Sequence, residues 1–347
     1  MSVKKVLVIR FRRIGDAVLS VVICSSLRKS FPEAEIHYVL NDHIAPLFEN
    51  HPDIDKIITF SDEENNHFFK YLRKVRQLMK TERYDVIIDT RATIKTLWFS
   101  AFSLRTKYRI GTSKFYNHFF HNYRVRNHVN DDLDEVVRNL LLLRPLERER
   151  KLIMTTDFRL YVTEQETAEF KSYMEQKGIN FSRFIVVCTP FTRVAGKAWD
   201  MAKMKEILSR IIQRYGAQLI FNYSRIEKEA ALALYEDMGK DEHIFIDIEA
   251  DSLRKLVSML EIADFFFGNE GGPRHIAQAC HLPGLAIYPP WVELPRWLPS
   301  NDPRYQSVSP FDMFPGQVIE GRTEKELFDL LSVEYVWERL QPMMDEA

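Results

Sequence analysis

Short apolar runs rich in β-branched residues alternate with stretches of helical period along most of this chain, and this alternation restricts the fold more than any other feature. Four runs fall in the first half: KVLVIRF, EIHYVL, KIITF and YDVIID. Five more fall in the second half: FIVVCTP, QLIFNY, HIFIDI, ADFFFG and GLAIYPP. Strands separated by helices are typical of parallel sheets covered on both faces. The sequence therefore predicts an α/β protein with doubly wound sheets.

The two series of runs are separated by residues 127 to 182, whose patterns are mainly helical or polar. A chain of 347 residues is also long enough for two domains of about 150 residues each. We predict an N-terminal domain over 1–165 and a C-terminal domain over 166–325, each a doubly wound sheet, facing a central cleft where ligands bind.

The last residues, 326–347, are expected to form a C-terminal helix, and one placement for it is against the N-terminal domain. Leu330, Val333, Trp337 and Leu340 recur at the three- and four-residue steps of one apolar face.

Charge and cysteine content narrow the class of protein. The formal net charge is −1, so an anionic partner would have to be bound by a local patch of positive charge. Cys24, Cys188 and Cys280 are far apart and lack metal-ligand spacing, which favours reduced thiols in a cytoplasmic protein and no metal site. No apolar run approaches the roughly 20 residues of a membrane span.

The stretch FRRIGDAVLS, residues 11–20, lies between the first predicted strand and a helical pattern. Gly15 permits a tight turn with positive φ, and Asp16 then falls at or near the N-cap of the helix. One interpretation is that Asp16 only caps the helix. The other is that its carboxylate acts as a general base, because strand-to-helix loops carry the active residues of such sheets.

A second loop, TPFTRVAGKAWD, residues 189–200, follows the first strand of the second series. Lys197 can place an ammonium against a phosphate, with Thr192 and Arg193 as supporting donors. Taken alone, a solvated lysine is the simpler interpretation.

The stretch GNEGGPRHIAQA, residues 268–279, is the most specific motif. Paired glycines before a proline at a helix start expose backbone N–H groups, and such a helix end attracts anions such as a diphosphate. Glu270 is then available for sugar hydroxyls. His275 lies one turn into the helix, where it either faces the same site or is a buried histidine with a local partner.

Residues 90–130 contain no acidic side chain. The segment carries these basic residues: Arg91, Lys95, Arg105, Lys107, Arg109, Lys114, Arg124 and Arg126. Among them lie these aromatic residues: Trp98, Phe99, Tyr108, Phe115, Tyr116, Phe119, Phe120 and Tyr123. Nucleic acid and anionic lipid headgroups both suit such a surface. The plainer alternative is a solvated basic face with its aromatic residues in the core.

Together these stretches resemble glycosyltransferase family 9, the lipopolysaccharide heptosyltransferases. The resemblance rests on VLVIRFRRIGDAVLS, YDVIIDTRATIKT, YRIGTSK, the TP…GKAW loop and GNEGGPRHIAQA. It implies a GT-B fold, with the acceptor bound by the first domain and the nucleotide-sugar by the second. It also implies an inverting, metal-independent transfer without a cofactor, from ADP-heptose to the anionic Kdo–lipid A inner core.

The resemblance assigns roles to individual residues. Asp16 is implied as the catalytic base, and Lys197 as the group that neutralises the departing diphosphate. The donor site would comprise Thr189, Thr192, Arg193, Lys197, Trp199, Glu227, Glu270, Gly271, Gly272 and His275. The acceptor site would comprise Arg13, Arg91, Lys95, Arg109, Lys114 and Arg124. Such an enzyme would work at the cytoplasmic face of the inner membrane as a peripheral protein, without binding nucleic acid.

Two departures from the family pattern keep other functions open. The triplet Glu270-Gly271-Gly272 replaces the family's acid-hydroxyl-glycine triplet, and Asn222-Tyr223-Ser224 replaces a glycine-rich lead before Glu227. Transfer of a hexose or N-acetylhexosamine from another nucleotide-sugar is one alternative. A non-catalytic two-lobed nucleotide-sugar binder is the other.

Overall fold

The computed structural model describes residues 3–126, 133–194, 196–292, 294–298, 302–314 and 321–347. The chain divides into two compact units, Met1–Tyr161 and Val162–Ala347. We call them unit 1 and unit 2, and each contains one six-stranded sheet.

Unit 1 has strands β1 Lys5–Ile9, β2 Glu35–Asn41, β3 Lys56–Phe60, β4 Val86–Asp89, β5 Tyr108–Thr112 and β6 Tyr123–Val125. Its helices are α1 Ile14–Ser30, α2 Asp62–Asn66, α3 Phe68–Glu82, α4 Leu97–Ala101 and α5 Glu135–Leu141, with 3-10 turns at Ala45–Phe48 and Arg144–Arg148. Every paired strand is parallel, in the order β3-β2-β1-β4-β5-β6.

Unit 2 has strands β7 Ile185–Thr189, β8 Gln218–Phe221, β9 Ile244–Phe245, β10 Phe265–Asn269, β11 Gly284–Ile287 and β12 Tyr305–Val308. Its helices are α6 Glu164–Gln176, α7 Met201–Tyr215, α8 Lys228–Asp237, α9 Leu253–Glu261, α10 Gly272–Ala279, α11 Leu294–Trp297, α12 Glu324–Asp329 and α13 Val333–Glu346, with 3-10 turns at Arg225–Glu227 and Pro310–Met313. The strand order is β12-β11-β10-β7-β8-β9, again all parallel.

The two sheets have the same doubly wound topology. In each, the first and fourth strands are neighbours at the centre, and the chain winds outward from them in both directions: β1 beside β4, and β7 beside β10. The carboxyl end of this central pair is the topological switch point, where open α/β sheets bind their ligands. The predicted α/β architecture of doubly wound parallel sheets is confirmed.

Burial explains why these runs form strands. Residues Val6–Ile9 are completely inaccessible to solvent, as expected for central parallel strands covered on both faces. One face of the first sheet packs Leu7, Ile9 and Ile87 against Tyr71 and Val75 of α3. The sequence did not predict β5, β6 and β12 as strands. β5 is buried throughout, but its residues YRIGT mix polar and apolar types and form no apolar run. β6 and β12 are edge strands with polar or half-buried residues.

The C-terminal residues differ from the single helix that the sequence predicted. They form α12 and α13, because Ser332 accepts a hydrogen bond from the backbone N–H of Tyr335 and begins a new helix. Leu330, Val333 and Trp337 are only half-buried. The buried side chains are Phe328, Leu331, Val336, Leu340, Met343 and Met344. The core of unit 2 includes these buried residues, so both helices belong to that unit and form no separate segment.

Other expectations concern the thiols and the membrane. Cys24, Cys188 and Cys280 are all buried, and none of them forms a disulfide bond with a described residue. Among the described residues, no helix combines the length and apolar character needed to cross a bilayer.

Candidate functional site

Each unit carries polar and charged side chains at its own switch point. In unit 1 they follow β1 and β4, and we name Arg10, Arg12, Arg13, Asp16 and Arg91 the Asp16 cluster. In unit 2 they follow β7 and β10, and we name Lys197, Asn269, Glu270, Gly271 and Gly272 the Lys197 cluster.

Asp16 lies in the first turn of α1, which begins at Ile14. Arg13 is the N-cap residue and makes no side-chain capping bond. Asp16 therefore lies near the N-cap, as predicted, but it is not the capping residue itself. The positive φ that the sequence assigned to Gly15 belongs instead to Arg12, at 71°. Arg12 tolerates this conformation because its backbone N–H donates to Asn41 Oδ1 at 2.7 Å.

The Asp16 carboxylate forms an ion pair with Arg10, the residue that follows β1. The side chains are 12% and 4% exposed, respectively. Arg10 is also fixed by a hydrogen bond from its Nη1 to Thr90 Oγ1, at 3.2 Å, across the switch point. A charged pair this deeply buried holds its carboxylate in one place, in contrast to a solvated surface pair.

The cluster contains more cations than carboxylates. Arg12 and Arg13 are exposed, and Arg91 is half-buried. Burial lowers the pKa of Arg91, repulsion from Arg10, Arg12 and Arg13 lowers it further, and attraction to Asp16 opposes these effects. Glu135 Oε1 also lies 3.7 Å from Arg10 Nη2, and the buried Asp89 interacts with Arg10. Four guanidinium groups against these three carboxylates still leave a surplus of positive charge, which favours an anionic ligand.

The turn after β4, which carries Arg91, is shaped by a buried carboxylate that the sequence did not suggest. Asp89 Oδ1 accepts hydrogen bonds from the backbone N–H groups of Arg91, at 3.2 Å, and Ala92, at 2.8 Å. Ala92 consequently adopts a left-handed φ of 48°. Burial raises the pKa of Asp89 to about 6. Asp89 therefore sets the direction in which Arg91 leaves the sheet.

The second oxygen of Asp89 faces a buried histidine. Asp89 Oδ2 lies 3.7 Å from His121 Nε2, and neither side chain is accessible to solvent. Asn117 Nδ2 donates to Thr112 O at 2.7 Å and lies 3.1 Å from His121 Nδ1. Because Nδ1 must then accept, the proton of the neutral imidazole is on Nε2 and points toward Asp89. Burial, followed by repulsion from Arg109, lowers the pKa of His121 to about 4.

The other residues assigned to the acceptor site divide into internal and external groups. Arg109 is buried in β5, where its guanidinium donates to the carbonyls of Leu104, Thr106 and Phe120. This internal role corrects its assignment as an acceptor-binding residue. Lys95 is half-buried, and its Nζ donates to Asn65 and lies 4.7 Å from the centre of the Tyr71 ring. Lys114 and Arg124 are exposed.

In unit 2, Lys197 Nζ lies 3.1 Å from Glu270 Oε2. The loop after β7 carries the lysine, and the segment after β10 carries the glutamate, so this ion pair spans the second switch point. The side chains are 22% and 14% exposed. Two of the predicted donor-site residues are thus in direct contact, and neither is a freely solvated side chain.

Asn269, the last residue of β10, holds the Lys197 loop against the sheet. Its Oδ1 accepts from the backbone N–H of Trp199 at 2.9 Å, and its Nδ2 donates to Pro190 O at 2.8 Å. Gly268 permits this approach, since a Cβ there would lie 2.5 Å from Thr189 O. Trp199 is 1% exposed and donates its indole N–H to Leu331 O. Trp199 is therefore a core residue, which corrects its assignment to the donor site.

Helix α10 begins directly after Glu270, with Gly271 as its N-cap and Pro273 in its first turn. No side chain caps this end, so its backbone N–H groups are suited to an anion. Gly271 has an extended φ of 170°, and a Cβ there would meet only Pro273 Cδ, at 3.7 Å. The backbone therefore does not require glycine at position 271, where the family pattern has a hydroxyl residue.

His275 faces the interior of unit 2. It is 3% exposed, and Arg274 Nη2 donates to its Nδ1 at 2.9 Å. Burial and the neighbouring Arg274 lower the pKa of His275 well below its ordinary value. The structure therefore favours the buried histidine with a local partner over a histidine that faces the donor.

The remaining donor-site residues lie at the carboxyl ends of β7 and β8. Thr189 is buried at the end of β7, Thr192 Oγ1 donates to Val194 O at 2.9 Å, and Arg193 is exposed. Glu227 is half-buried, and its Oε2 accepts from the backbone N–H and the hydroxyl of Ser224 at 2.7 and 2.6 Å. The position of Glu227 is thus fixed by a local capping box.

Two groups of described residues have the spacing of metal ligands: Glu35 with His37 and Glu82, and Asp42 with His43 and Asp62. Neither group includes a residue of the two clusters. In the first, the ammonium of Lys5 already lies 2.9 Å from Glu35 and 2.6 Å from Glu82. The second is exposed throughout.

Sequence reasoning missed Arg10, Asp89 and Asn269. Each ends or directly follows an apolar central strand. A polar residue at that position is itself a signal, because parallel strands deliver it to the ligand-binding edge of the sheet.

Comparison with known proteins identifies the family. The model of glycosyltransferase family 9 (heptosyltransferase) matches residues 72–302. Lipopolysaccharide heptosyltransferase 3 of Escherichia coli K12 is 24% identical over 298 residues, which cover 80% of this chain and 83% of that protein.

Two solved structures support the fold. A family 9 glycosyltransferase from Veillonella parvula has a TM-score of 0.84 at 16% identity, over 100% of this chain and 98% of that chain. An E. coli heptosyltransferase with ADP-2-deoxy-2-fluoro heptose has a TM-score of 0.69 at 15% identity, over 99% and 100%. The two doubly wound units are those of a GT-B protein, and the chain belongs to glycosyltransferase family 9, the heptosyltransferase family.

Proposed function

We propose that this chain is an inverting, metal-independent heptosyltransferase. It moves a heptose from ADP-L-glycero-D-manno-heptose to the Kdo/heptose inner core of lipopolysaccharide, at the cytoplasmic face of the inner membrane. The observation that carries the proposal is the buried Arg10–Asp16 pair at the switch point of unit 1, which holds a carboxylate amid surplus positive charge. An anionic sugar acceptor needs both features in one place.

Asp16 is the proposed base. In the transfer step, an acceptor hydroxyl attacks the anomeric carbon of the heptose, the bond to the diphosphate breaks, and the hydroxyl proton passes to Asp16. A carboxylate is a weak base for a sugar alcohol, so the proton moves late, as bonding to the anomeric carbon makes the hydroxyl more acidic. Attack opposite the leaving group inverts the anomeric configuration.

Arg12, Arg13 and Arg91 are the proposed acceptor contacts. Arg91 interacts electrostatically with Asp16 and with Arg12 and Arg13. Their guanidinium groups suit the carboxylate of Kdo and any phosphate on the inner core. We expect Lys95 to contribute less to acceptor binding, because its ammonium already donates a hydrogen bond to Asn65.

The Lys197 cluster is the proposed donor site. The diphosphate of ADP-heptose takes the place of Glu270 on the Lys197 ammonium and accepts hydrogen bonds from the N–H groups at the start of α10. Glu270, once released, is free to bind hydroxyls of the sugar. Thr192 and Glu227 contribute hydrogen-bonding groups from the neighbouring loops. Lys197 and Arg193 supply positive charge to the leaving ADP without a metal ion.

A transfer assay tests the proposal. The protein is incubated with ADP-L-glycero-D-manno-heptose and a lipid A acceptor truncated after Kdo. The masses of the products are then measured by mass spectrometry. We expect the acceptor to gain the mass of one heptose, with release of ADP. Binding of ADP-heptose without turnover on any core acceptor would contradict the transferase and support a binding protein.

One observation favours a second candidate, a transferase for another nucleotide-sugar. Gly271 removes a hydroxyl at a position where the backbone accepts a larger residue, so the donor site has space that the family pattern fills. Parallel assays with nucleotide-linked hexoses and N-acetylhexosamines decide this point. Faster transfer from one of them than from ADP-heptose would replace the proposed donor.

A further inference from the structure

The loop of residues 113–121, which follows β5, exposes two large aromatic side chains. Phe115 is 90% exposed and Phe119 is 76% exposed. We name this segment the aromatic loop. An isolated exposed phenylalanine needs no explanation, but two of them four positions apart on one loop, each almost wholly in water, are typical of an interaction surface.

The exposure is built into the loop by its buried base. Asn117 is inaccessible to solvent, its Nδ2 donates to Thr112 O at 2.7 Å, and its Oδ1 accepts from the backbone N–H of Lys114 at 3.1 Å. Tyr116 turns the other way from its neighbours and donates its hydroxyl to Ala92 O at 2.9 Å. These bonds fix the segment with Phe115 and Phe119 directed away from the core.

The charged residues next to the aromatic loop in the sequence are all basic. Lys114, Arg124 and Arg126 are exposed, and residues 90–130 contain no aspartate or glutamate. Elsewhere in unit 1 the pattern is different. Phe69 is 84% exposed, yet it follows α2, where Asp62, Glu63 and Glu64 supply three carboxylates within a few residues.

We propose that the aromatic loop docks this protein on an anionic lipid bilayer. Phe115 and Phe119 enter the headgroup layer, and Lys114, Arg124 and Arg126 contact lipid phosphates. Aromatic rings favour this interfacial depth, and basic residues near a charged bilayer are attracted to its surface. The aromatic rings and the basic residues together supply two signals, which stable membrane attachment requires.

The surface has a use in the proposed function, on which this part of the inference rests. The hydroxyl of Tyr116 bonds to the turn that carries Arg91, a member of the Asp16 cluster. Docking through the aromatic loop therefore brings the proposed base to the membrane that holds a lipid-linked acceptor. The bilayer contact itself depends only on the loop and its charges.

Sedimentation with vesicles tests the docking. The full-length protein is mixed with vesicles of phosphatidylcholine alone, or of phosphatidylcholine with phosphatidylglycerol. We expect binding to the anionic vesicles. We expect the double variant F115S/F119S to bind them at least about tenfold more weakly, which is the effect of losing ~1.4 kcal/mol of apolar burial. F69S is the matched control and should bind like the wild type. Since all three side chains are exposed, thermal unfolding should be unchanged.

Several results would overturn the inference. They are undiminished vesicle binding by F115S/F119S, equal binding to neutral and anionic vesicles, or equal losses in F69S and the double variant. Binding of wild-type protein to an oligonucleotide but not to vesicles would assign the surface to nucleic acid. Dissociation of a dimer by F115S/F119S, without vesicle binding, would assign it to a second copy of the chain.

A transfer assay separates this inference from the proposed function. F115S/F119S should keep wild-type transfer to a deacylated, water-soluble acceptor and lose most of its transfer to the same core embedded in vesicles. If no protein transfers heptose to either acceptor, the proposed function fails, while the vesicle experiment still decides the docking. Equal activity of wild type and variant on embedded acceptor overturns the role of the loop.

Discussion

Each of the two switch points of this protein carries an acidic and a basic side chain in an ion pair, but the two pairs differ in solvent exposure and in their charged neighbours. In unit 1, the acid and the cation are Asp16 and Arg10, 12% and 4% exposed, and Arg10 also lies 3.7 Å from Glu135. Arg91 interacts electrostatically with this pair and with Arg12 and Arg13. In unit 2, Glu270 and Lys197 are 14% and 22% exposed and form a one-to-one pair. The last residue of the fourth strand of each sheet also differs: Asp89 ends β4, whereas Asn269 ends β10.

The difference indicates what each pair is for. Thr90 holds Arg10 in place. Separating the Arg10–Asp16 pair would leave the buried arginine without its nearest carboxylate, which is costly in free energy. This pair is suited to hold a reacting carboxylate in place. The Lys197–Glu270 pair is more accessible and neutral overall, so an incoming diphosphate can exchange for the carboxylate. Four predictions test this contrast, from the largest expected effect to the smallest.

Replacement of Asp16 should have the largest effect. Asp16→Asn should reduce kcat by ~10²–10⁴-fold, the usual contribution of a general base, while ADP-heptose affinity changes little. Asn keeps an acceptor for Arg10. Asp16→Ala removes the nearer of the two carboxylates that Arg10 pairs with, leaving Glu135 at 3.7 Å, and should also lower the melting temperature. Glu33→Ala, an exposed acid of the same unit, is the control. Full activity in Asp16→Asn would remove the assigned role.

Loss of the unit 2 cation should weaken donor binding as well as catalysis. Lys197→Ala should reduce ADP affinity by about 10-fold to 100-fold, because a charge-assisted contact is worth ~1.5–3 kcal/mol. Isothermal titration calorimetry with ADP measures this, and Lys205→Ala, in the exposed pair with Asp237, is the matched control. An unchanged ADP affinity would place the diphosphate elsewhere.

The buried Asp89–His121 pair makes unit 1 respond to acid. Because the pKa of Asp89 is raised to about 6, its contribution to stability falls as pH rises from about 4 to 6. The pKa of His121 is lowered to about 4, so its contribution falls as pH decreases from about 6.5 to 4. The two effects offset each other in the wild type.

Asp89→Asn removes only the first effect. The variant should therefore lose roughly 1–3 kcal/mol more stability than the wild type between about pH 6.5 and pH 4.5. The reciprocal change, Asn269→Asp, places a carboxyl at the corresponding site of unit 2 and should make that protein more stable in mild acid than at neutral pH. Urea unfolding across pH measures both. Parallel pH profiles for wild type and Asp89→Asn would show that the buried pair does not titrate.

Opening the unit 2 pair should have the smallest effect. Glu270→Gln removes the competitor for the Lys197 ammonium, so ADP should bind about two- to five-fold more tightly, since a partly exposed pair is worth ~0.5–1 kcal/mol. Transfer should nevertheless slow, because the carboxylate that we assign to sugar hydroxyls is gone. Weaker ADP binding in Glu270→Gln would show that the glutamate supports the diphosphate site and does not compete for it.

The sequence predicted the sheets well and the site side chains unevenly. Alternating patterns located nine strands correctly, since burial of apolar strands depends mainly on local composition. Lys197 and Glu270 were predicted to lie in one site, and the structure brings them into contact. Trp199, His275 and Arg109 had equally suitable residue types and spacing, yet each faces its own core.

The failures share a cause. Arg12, not Gly15, takes the positive φ because Asn41 of the neighbouring strand binds its N–H. Asp89 meets His121 because Gly111, opposite it in the register, leaves room for the imidazole, which lies 2.5 Å from where a Cβ would stand. Contacts of this kind join residues that are distant in the chain, and no local pattern encodes them.

The sequence by itself determined the two parallel sheets, the polar turns at their carboxyl edges and the acid-free segment, because these depend on the order of apolar and polar residues along the chain. Only the tertiary structure decided that Arg10 forms an ion pair with Asp16 and that Glu270 forms one with Lys197. It also decided that the side chains of Phe115 and Phe119 are exposed to solvent. The physical reason is that the direction and partner of a side chain follow from strand register and packing, which bring together residues far apart in sequence.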